Sequence, residues 1–149
     1  MIRSALFVPD DASEIVTQSA QAKDWPSDLK PHAMKMAAHG SAFTLRLADR
    51  RIICIAGIMR NHAASGTAWT VMAPGCWGHM GELTRILTNY LDGVVFRRVD
   101  MMVRAEFAPG HRWAARLGFK REAVLRHWAP DGGDMVVHAR IKGEEYGRS

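Results

Sequence analysis

Three glycines, Gly75, Gly78 and Gly81, recur at three-residue spacing around the start of a helix-like pattern, with His79 among them. A glycine lets the backbone approach a ligand closely. Backbone N–H groups at a helix start attract anions, because their unsatisfied donors and the helix dipole both favour negative charge. The spacing therefore indicates a loop that could bind phosphate. The alternative is a flexible loop that holds no ligand.

Further candidates for chemistry lie in the second half of the chain. Glu106 is a carboxylate just after a predicted strand, where a solvated side chain or an ion-pair partner is the ordinary interpretation. His111 and Arg112 begin a short predicted helix and could contact an anion or polarise a carbonyl, or lie on the surface. His79 could relay a proton, but a single loop histidine is more often incidental.

The hydrophobic pattern supplies the elements that must position these residues. It predicts strands at residues 2–8, 43–47, 52–59, 66–72, 99–104, 119–128 and 135–141. It predicts helices at residues 11–20, with Asp11 at the cap, from Trp25 to a cap at Gly40, from Met80 to Gly93, and at residues 110–117. Trp77 lies in the loop and is available to a ligand, whereas Trp69, Trp113 and Trp128 are predicted to pack in the core.

The segment Pro109–Glu122 carries a family resemblance. It combines a short helix, a left-handed stop at Gly118 and a strand that begins at Phe119. This segment and the order of the elements resemble the GNAT superfamily of N-acetyltransferases. The resemblance implies one domain over residues 1–149 with an α+β fold in three layers, α/β/α. It would contain a mixed, mostly antiparallel central sheet of about seven strands and about four helices.

The same resemblance implies that acetyl-CoA lies between the strand ending at Met72 and the strand beginning at Val99, which splay apart. The cofactor-binding residues would be Val71, Met72, Ala73, Gly78, His79, Met80, Gly81, His111 and Arg112. The family's loop pattern is Gln or Arg, two residues, Gly, one residue, then Gly or Ala, and this chain departs from it. With Gly78 as the first glycine, Gly75 takes the basic or amide position and Met80 the small one; with Gly81, those positions fall to Gly78 and Leu83. The family's tyrosine position falls on Ala114.

Two functions follow from the resemblance. The first is an N-acetyltransferase that passes acetyl by direct attack to an amine of a small molecule or a protein, with Glu106 or water as the base and His79 as the second catalytic candidate. The second is a catalytically inactive protein, like the small GNAT-like proteins of tailed bacteriophages, which share the segment and the degenerate loop. It would bind phage or host proteins or take part in virion assembly.

Composition excludes several classes of protein. The 149 residues carry a net charge of +5, but the arginines are scattered, which disfavours nucleic-acid binding. No apolar run approaches the ~20 residues of a membrane span, and the apolar start is too short for a secretory signal, so we expect a cytoplasmic protein, in the host or in the virion if phage-encoded. Cys54 and Cys76 are predicted to be free thiols, and the histidines are too dispersed to predict a metal site.

Overall fold

The computed structural model describes residues 1–18 and 29–144. The strands are β1 (Arg3–Leu6), β2 (Gly40–Arg46), β3 (Ile52–His62), β4 (Ser65–Met72), β5 (Arg98–Arg104), β6 (Lys120–Leu125) and β7 (Met135–Ile141). The helices are α1 (Pro9–Gln18), α2 (Leu29–Ala38), α3 (Met80–Gly93) and α4 (Ala108–Arg116), and a 3-10 helix spans Pro74–His79. None of the helices in the described ranges is long and apolar enough to span a membrane.

The strands form one seven-stranded sheet in the order β1-β2-β3-β4-β5-β7-β6. Strands β1 to β3 pair antiparallel, as do β5, β7 and β6, whereas β4 and β5 are parallel. A parallel pair needs a crossover connection, and α3 lies in the crossover between β4 and β5. The predicted α+β class and the mixed, mostly antiparallel sheet are confirmed.

The chain divides into two compact units. The first contains Met1–Arg60 and Ala68–Leu83, and the second contains Asn61–Thr67 and Thr84–Ser149. The single domain predicted over residues 1–149 stays a prediction.

The core of the first unit forms around β3, which is buried from Ile52 to Ile58, as the uninterrupted apolar run predicted. A cluster of buried side chains joins β3 to the two N-terminal helices and the end of β4; it contains Ala12, Ile15, Ala33, Ile52, Ile55, Val71 and Ala73. The core therefore holds the end of β4 firmly.

The predicted cap of α1 at Asp11 is wrong. The helix begins at Pro9, which suits a first helical position because no N–H is needed there. Asp11 is buried and its carboxylate accepts hydrogen bonds from the Val8 backbone N–H at 3.1 Å, the Thr44 hydroxyl at 2.7 Å and the Arg46 guanidinium at 2.8 Å. Asp11 therefore bonds to the backbone at the helix start from a position within the first turn and not from the N-cap. The predicted end of this helix and the Trp25 start of the next lie outside the described residues.

The second unit confirms the stop at Gly118, whose φ is 92°. The Phe119 N–H donates to the Ala114 carbonyl at 2.9 Å and the Gly118 N–H to that of Ala115 at 3.0 Å. This is the Schellman arrangement that ends a helix at a left-handed glycine.

Two other boundaries differ from prediction. Gly40 does not cap α2 but opens β2, where β3 passes so close that a Cβ would lie 1.8 Å from the Ile58 carbonyl oxygen. Strand β6 ends at Leu125, because His127 has a φ of 55°, which a strand cannot accommodate. Trp128 is 53% exposed, so its predicted packing role is wrong.

Candidate functional site

The end of β4 carries the first predicted cofactor residues. Val71 and Ala73 are buried and Met72 is half-buried, and the Ala73 N–H donates to the Ile53 carbonyl at 3.0 Å. On its other side β4 pairs with β5 over three residue pairs, Ser65 to Thr67 with Arg98 to Asp100. The remainder of β4, Ala68–Met72, lies outside this parallel ladder.

The segment after β4 is helical rather than an open loop. The 3-10 helix starts at Pro74, after Ala73 in extended conformation, and passes directly into α3, since Met80 has φ −63° and ψ −32°. The Cys76 N–H donates to the Ala73 carbonyl at 3.0 Å. Proline pre-sets the first helical φ, which explains why the turn begins at once.

The three glycines of this segment differ in the space beside them. A Cβ at Gly78 or Gly81 would meet nothing within 4 Å, whereas at Gly75 it would lie 3.8 Å from Arg51 Nη1 and 3.9 Å from Ile53 Cγ2. None of the three has a positive φ, so their conformation does not require glycine. The space beside Gly78 and Gly81 is therefore open, and a small group there would not contact the rest of the chain.

The other side chains of the segment differ in exposure. Trp77 is 51% exposed, as predicted for a residue available to a ligand, and His79 and Met80 are half-buried. Cys76 is buried, and its burial raises the pKa of the thiol to about 11. Burial also raises the pKa of the Cys54 thiol, with a further contribution from Cys76. Both thiols are free, as predicted, and uncharged at neutral pH, so neither is a ready nucleophile.

In the second unit, Glu106 lies in the turn between β5 and α4. Its side chain is 70% exposed, and its carboxylate is 3.8 Å from Arg104 Nη1. That guanidinium nitrogen also donates to Asp131 at 3.0 and 3.1 Å. Glu106 is therefore a solvated carboxylate with one distant cationic neighbour, open to a substrate from solvent.

His111 lies within α4 and is paired with a second histidine. Its Nδ1 is 2.9 Å from Nε2 of His138 on β7, and its Nε2 is 2.9 Å from the Ala105 carbonyl oxygen. A carbonyl only accepts, so Nε2 of His111 carries a proton; when His111 is neutral, its Nδ1 accepts from His138. Both ring nitrogens of His111 thus have protein partners, while Arg112 beside it is exposed.

Burial and the charges of His111 and Arg121 lower the pKa of His138. Sequence reasoning missed this pair, having treated His138 as one of several dispersed histidines. The two rings are 27 positions apart, and only the β5–β7 register, with Met101 opposite His138, brings His138 to the side of α4.

The tyrosine position of the family, Ala114, is fully buried. Beside it, Trp113 Nε1 donates to the Thr84 hydroxyl at 2.8 Å, which fixes α4 to α3. The role of Thr84 was not predicted from the sequence. Its position beside Leu83 on the apolar face of α3 could have indicated that it is buried.

Among the described residues, no three His, Cys, Asp or Glu side chains come together as a metal site would require.

Each compact unit holds one group of the predicted site residues. In the first unit, Val71, Met72, Ala73, Gly78, His79, Met80 and Gly81 follow one another along the chain from β4 into α3. In the second, Glu106 lies in the turn before α4, and His111 and Arg112 lie within that helix.

Solved structures share the fold of this chain. The ribosomal-protein-S18-alanine N-acetyltransferase of Escherichia coli superposes with a TM-score of 0.76 at 17% identity, over 100% of this chain and 99% of that one. A GNAT-family acetyltransferase of Streptococcus pneumoniae gives 0.71 at 15% identity, over 95% and 99%. The fold is that of the GNAT acetyltransferases.

RimJ of Mycobacterium smegmatis, solved in complex with CoA-disulfide, also has this fold, with a TM-score of 0.70 at 19% identity over 95% of this chain and 82% of RimJ. No protein-family model and no curated protein sequence matches the chain. The likeness therefore lies in the GNAT fold and not in sequence.

Proposed function

We propose that the protein is an acetyl-CoA-dependent N-acetyltransferase that passes acetyl to an amine of a small molecule or a protein. The observation that carries the proposal is the GNAT fold over the whole chain, with a parallel β4–β5 ladder of three residue pairs. The open backbone at Gly78 and Gly81, directly after β4, adds support.

The proposed cofactor residues divide by the part of acetyl-CoA that they suit. The backbone of Val71 and Met72 and the carbonyl of Ala73 suit the amide groups of the pantetheine arm, whereas the Ala73 N–H is bonded to the Ile53 carbonyl. The segment Gly78, His79, Met80 and Gly81 suits the pyrophosphate, because its backbone is open and it begins a helix. In the second unit, exposed Arg112 suits a phosphate, and His111 would contribute by holding α4 in place. The bound cosubstrate would supply an acetyl thioester.

The proposed chemistry is direct attack by the amine, without an acetylated enzyme. The raised pKa of the Cys76 thiol supports this route, because a neutral buried thiol is a poor nucleophile. Glu106 would accept the amine proton, directly or through water. With Ala114 at the tyrosine position no hydroxyl is present there, so His79 is the proposed second catalytic residue, relaying a proton.

The second candidate is a catalytically inactive GNAT-fold protein of bacteriophage type that binds phage or host proteins or takes part in virion assembly. Two observations favour it: Ala114 is fully buried and bears no acid, and Gly75 places no side chain where the family has Gln or Arg. In that case the protein would have the GNAT fold without acetyltransferase activity.

Calorimetric titration with acetyl-CoA separates the two. If the protein is a transferase, we expect it to bind acetyl-CoA with micromolar affinity. We expect that affinity to fall about tenfold or more in Gly78→Leu, since the new side chain fills the open space beside the backbone. Gly93→Leu is the matched control, because Gly93 is equally open but lies at the far end of α3. Absence of heat at millimolar acetyl-CoA would reject the transferase and favour the second candidate.

Release of free CoA in the presence of pooled amines tests the base. We expect the rate to fall about a hundredfold in Glu106→Gln, in keeping with the loss of a general base. Glu144→Gln, a change at another exposed carboxylate, should leave the rate unchanged. An equal rate in Glu106→Gln and the wild type would remove Glu106 from the mechanism.

A further inference from the structure

The segment proposed to hold the pyrophosphate contains no permanently charged side chain. Residues 73–81 read Ala-Pro-Gly-Cys-Trp-Gly-His-Met-Gly, with His79 as the one titratable nitrogen base. An anion held by backbone N–H groups alone gains less than one that also meets an arginine, because charge-assisted hydrogen bonds are about twice as strong as neutral ones. A cation from elsewhere in the chain would therefore complete the site.

The structure brings such a cation to this segment. Arg51 Nη1 lies 3.8 Å from the point where a Cβ of Gly75 would be, so the guanidinium lies in contact with the position of the side chain that Gly75 lacks. The backbone explains this proximity. The hydrogen bond from Ala73 N–H to the Ile53 carbonyl, 3.0 Å long, aligns the end of β4 with the start of β3, which Arg51 immediately precedes.

Asp49 fixes the orientation of Arg51. Its carboxylate accepts from the Arg51 backbone N–H at 3.0 Å and from Nε at 2.8 Å. These hydrogen bonds lower the pKa of Asp49, so the carboxylate stays ionised at neutral pH. With Nε held, the Nη edge remains on the side of Gly75, and the Arg51 side chain is 61% exposed. A planar guanidinium presented in this way matches two oxygens of a phosphate.

We propose that Arg51 contacts the pyrophosphate of acetyl-CoA and takes the place of the basic or amide side chain that is absent at Gly75. This inference rests on the proposed function. It identifies Asp49 as a positioning residue that acts through Arg51. Arg51 would supply a guanidinium where the family's pattern has Gln or Arg and this chain has Gly75.

Titration of Arg51→Gln with acetyl-CoA and with ADP, which shares the pyrophosphate but lacks the thioester, tests the proposal. We expect affinity for both ligands to fall about tenfold or more, as for loss of a hydrogen bond to a charged group. The salt dependence of binding should also become shallower, because one ionic contact is lost. Arg50→Gln, which removes the same charge one residue earlier, is the matched control and should change affinity less than about twofold.

A rescue variant distinguishes a contact from a general charge effect. Gly75→Arg combined with Arg51→Gln returns a guanidinium to the same space from the other chain segment. Gly75 has no positive φ, and its Cβ would make only ordinary contacts, so the backbone tolerates the change. We expect most of the lost affinity to return. Circular dichroism and thermal unfolding of each variant verify that the fold is intact.

The outcomes separate this inference from the proposed function. If the wild type binds acetyl-CoA and Arg51→Gln binds it equally well, the role of Arg51 is rejected and the transferase proposal stands. An equal loss in Arg50→Gln and Arg51→Gln, without rescue at Gly75, would also reject a specific contact. If the wild type binds neither acetyl-CoA nor ADP at millimolar concentration, the inference and the proposed function fail together.

Discussion

The two helical segments that follow the parallel strands begin in the same way but differ in the surroundings of their glycines. The 3-10 helix after β4 and α4 after β5 both have a proline at one of their first two positions, and neither N-cap side chain makes a capping bond. A Cβ at Gly78 would meet open space. A Cβ at Gly110 in α4 would lie 2.6 Å from Val103 Cγ1 and 2.7 Å from the Phe107 ring.

The two segments therefore differ in how tightly they are packed. Gly110 lets α4 lie close against β5, and the bond from Trp113 to Thr84 and the histidine pair fasten the helix further. The 3-10 helix has open glycines and one exposed tryptophan, Trp77. The segment at α4 is tightly packed, and the segment after β4 is open and partly exposed.

The largest expected effect is that of Gly110→Ala. The added methyl group overlaps Val103 and Phe107, so we expect the free energy of unfolding to fall by about 1–3 kcal/mol, as in other overpacked cores. Urea unfolding measures it. Gly78→Ala is the matched control and should stay within about 0.5 kcal/mol of the wild type. Equal losses in the two variants would abolish the contrast between the segments.

The second effect is a pH dependence at the side of α4. Burial and the charges of His111 and Arg121 lower the pKa of His138, so the unfolded chain takes up a proton more readily than the folded one as the pH falls below about 6.5. Stability should fall with the pH there. The equilibrium constant of unfolding should rise by up to about tenfold per pH unit.

Thermal and urea unfolding of the wild type and His138→Gln between pH 7.5 and 5 measure this effect. The glutamine amide can still donate to His111 but cannot be protonated in this range, so the slope should flatten. Exposed His127 provides the control, since its change to Gln should leave the slope as it is. An unchanged slope in His138→Gln would show that the pair does not control acid stability.

A smaller effect is expected for Trp113→Phe. The change removes the donor to the Thr84 hydroxyl, 2.8 Å away, and should lower the free energy of unfolding by about 1 kcal/mol. Trp77→Phe, on the exposed segment, should change it by less than about 0.5 kcal/mol. Chemical denaturation of both variants compares the packed and the exposed tryptophan directly.

The smallest effect has the opposite sign. Gly81 lies in the first turn of α3, and a Cβ there meets nothing within 4 Å. We expect Gly81→Ala to raise the free energy of unfolding by up to about 1 kcal/mol, because alanine favours a helix more than glycine does. A loss of stability in this variant would mean that the segment is more tightly packed than its open glycines indicate.

Predictions that depended on neighbouring residues were mostly accurate. The stop at Gly118 followed from the apolar face of α4, the glycine and the strand that begins after it, and the structure has all three. The buried position of β3 inside the sheet followed from its uninterrupted apolar run. Local sequence carries such information because hydrogen bonds within a helix end and alternation along a strand involve adjacent residues.

Predictions that depended on partners far along the chain were less accurate. Gly40 was assigned to a helix end, but β3 requires a glycine there; Trp128 was assigned to the core, but the strand ends before it. The pairing of His111 with His138 and the position of Arg51 beside Gly75 were both missed. None of these has a local pattern, because strand register brings the partners together.

The amino-acid pattern alone was enough to predict the order of the elements, the buried apolar strand β3 and the glycine-rich segment after β4. Apolar periodicity, proline and glycine act over a few residues and are visible in one dimension. The folded structure was needed to show which glycines have open space beside them, which histidines are in contact and which arginine lies beside Gly75. Those relations arise where separate strands and helices pack, and the residues that meet there are distant in the chain.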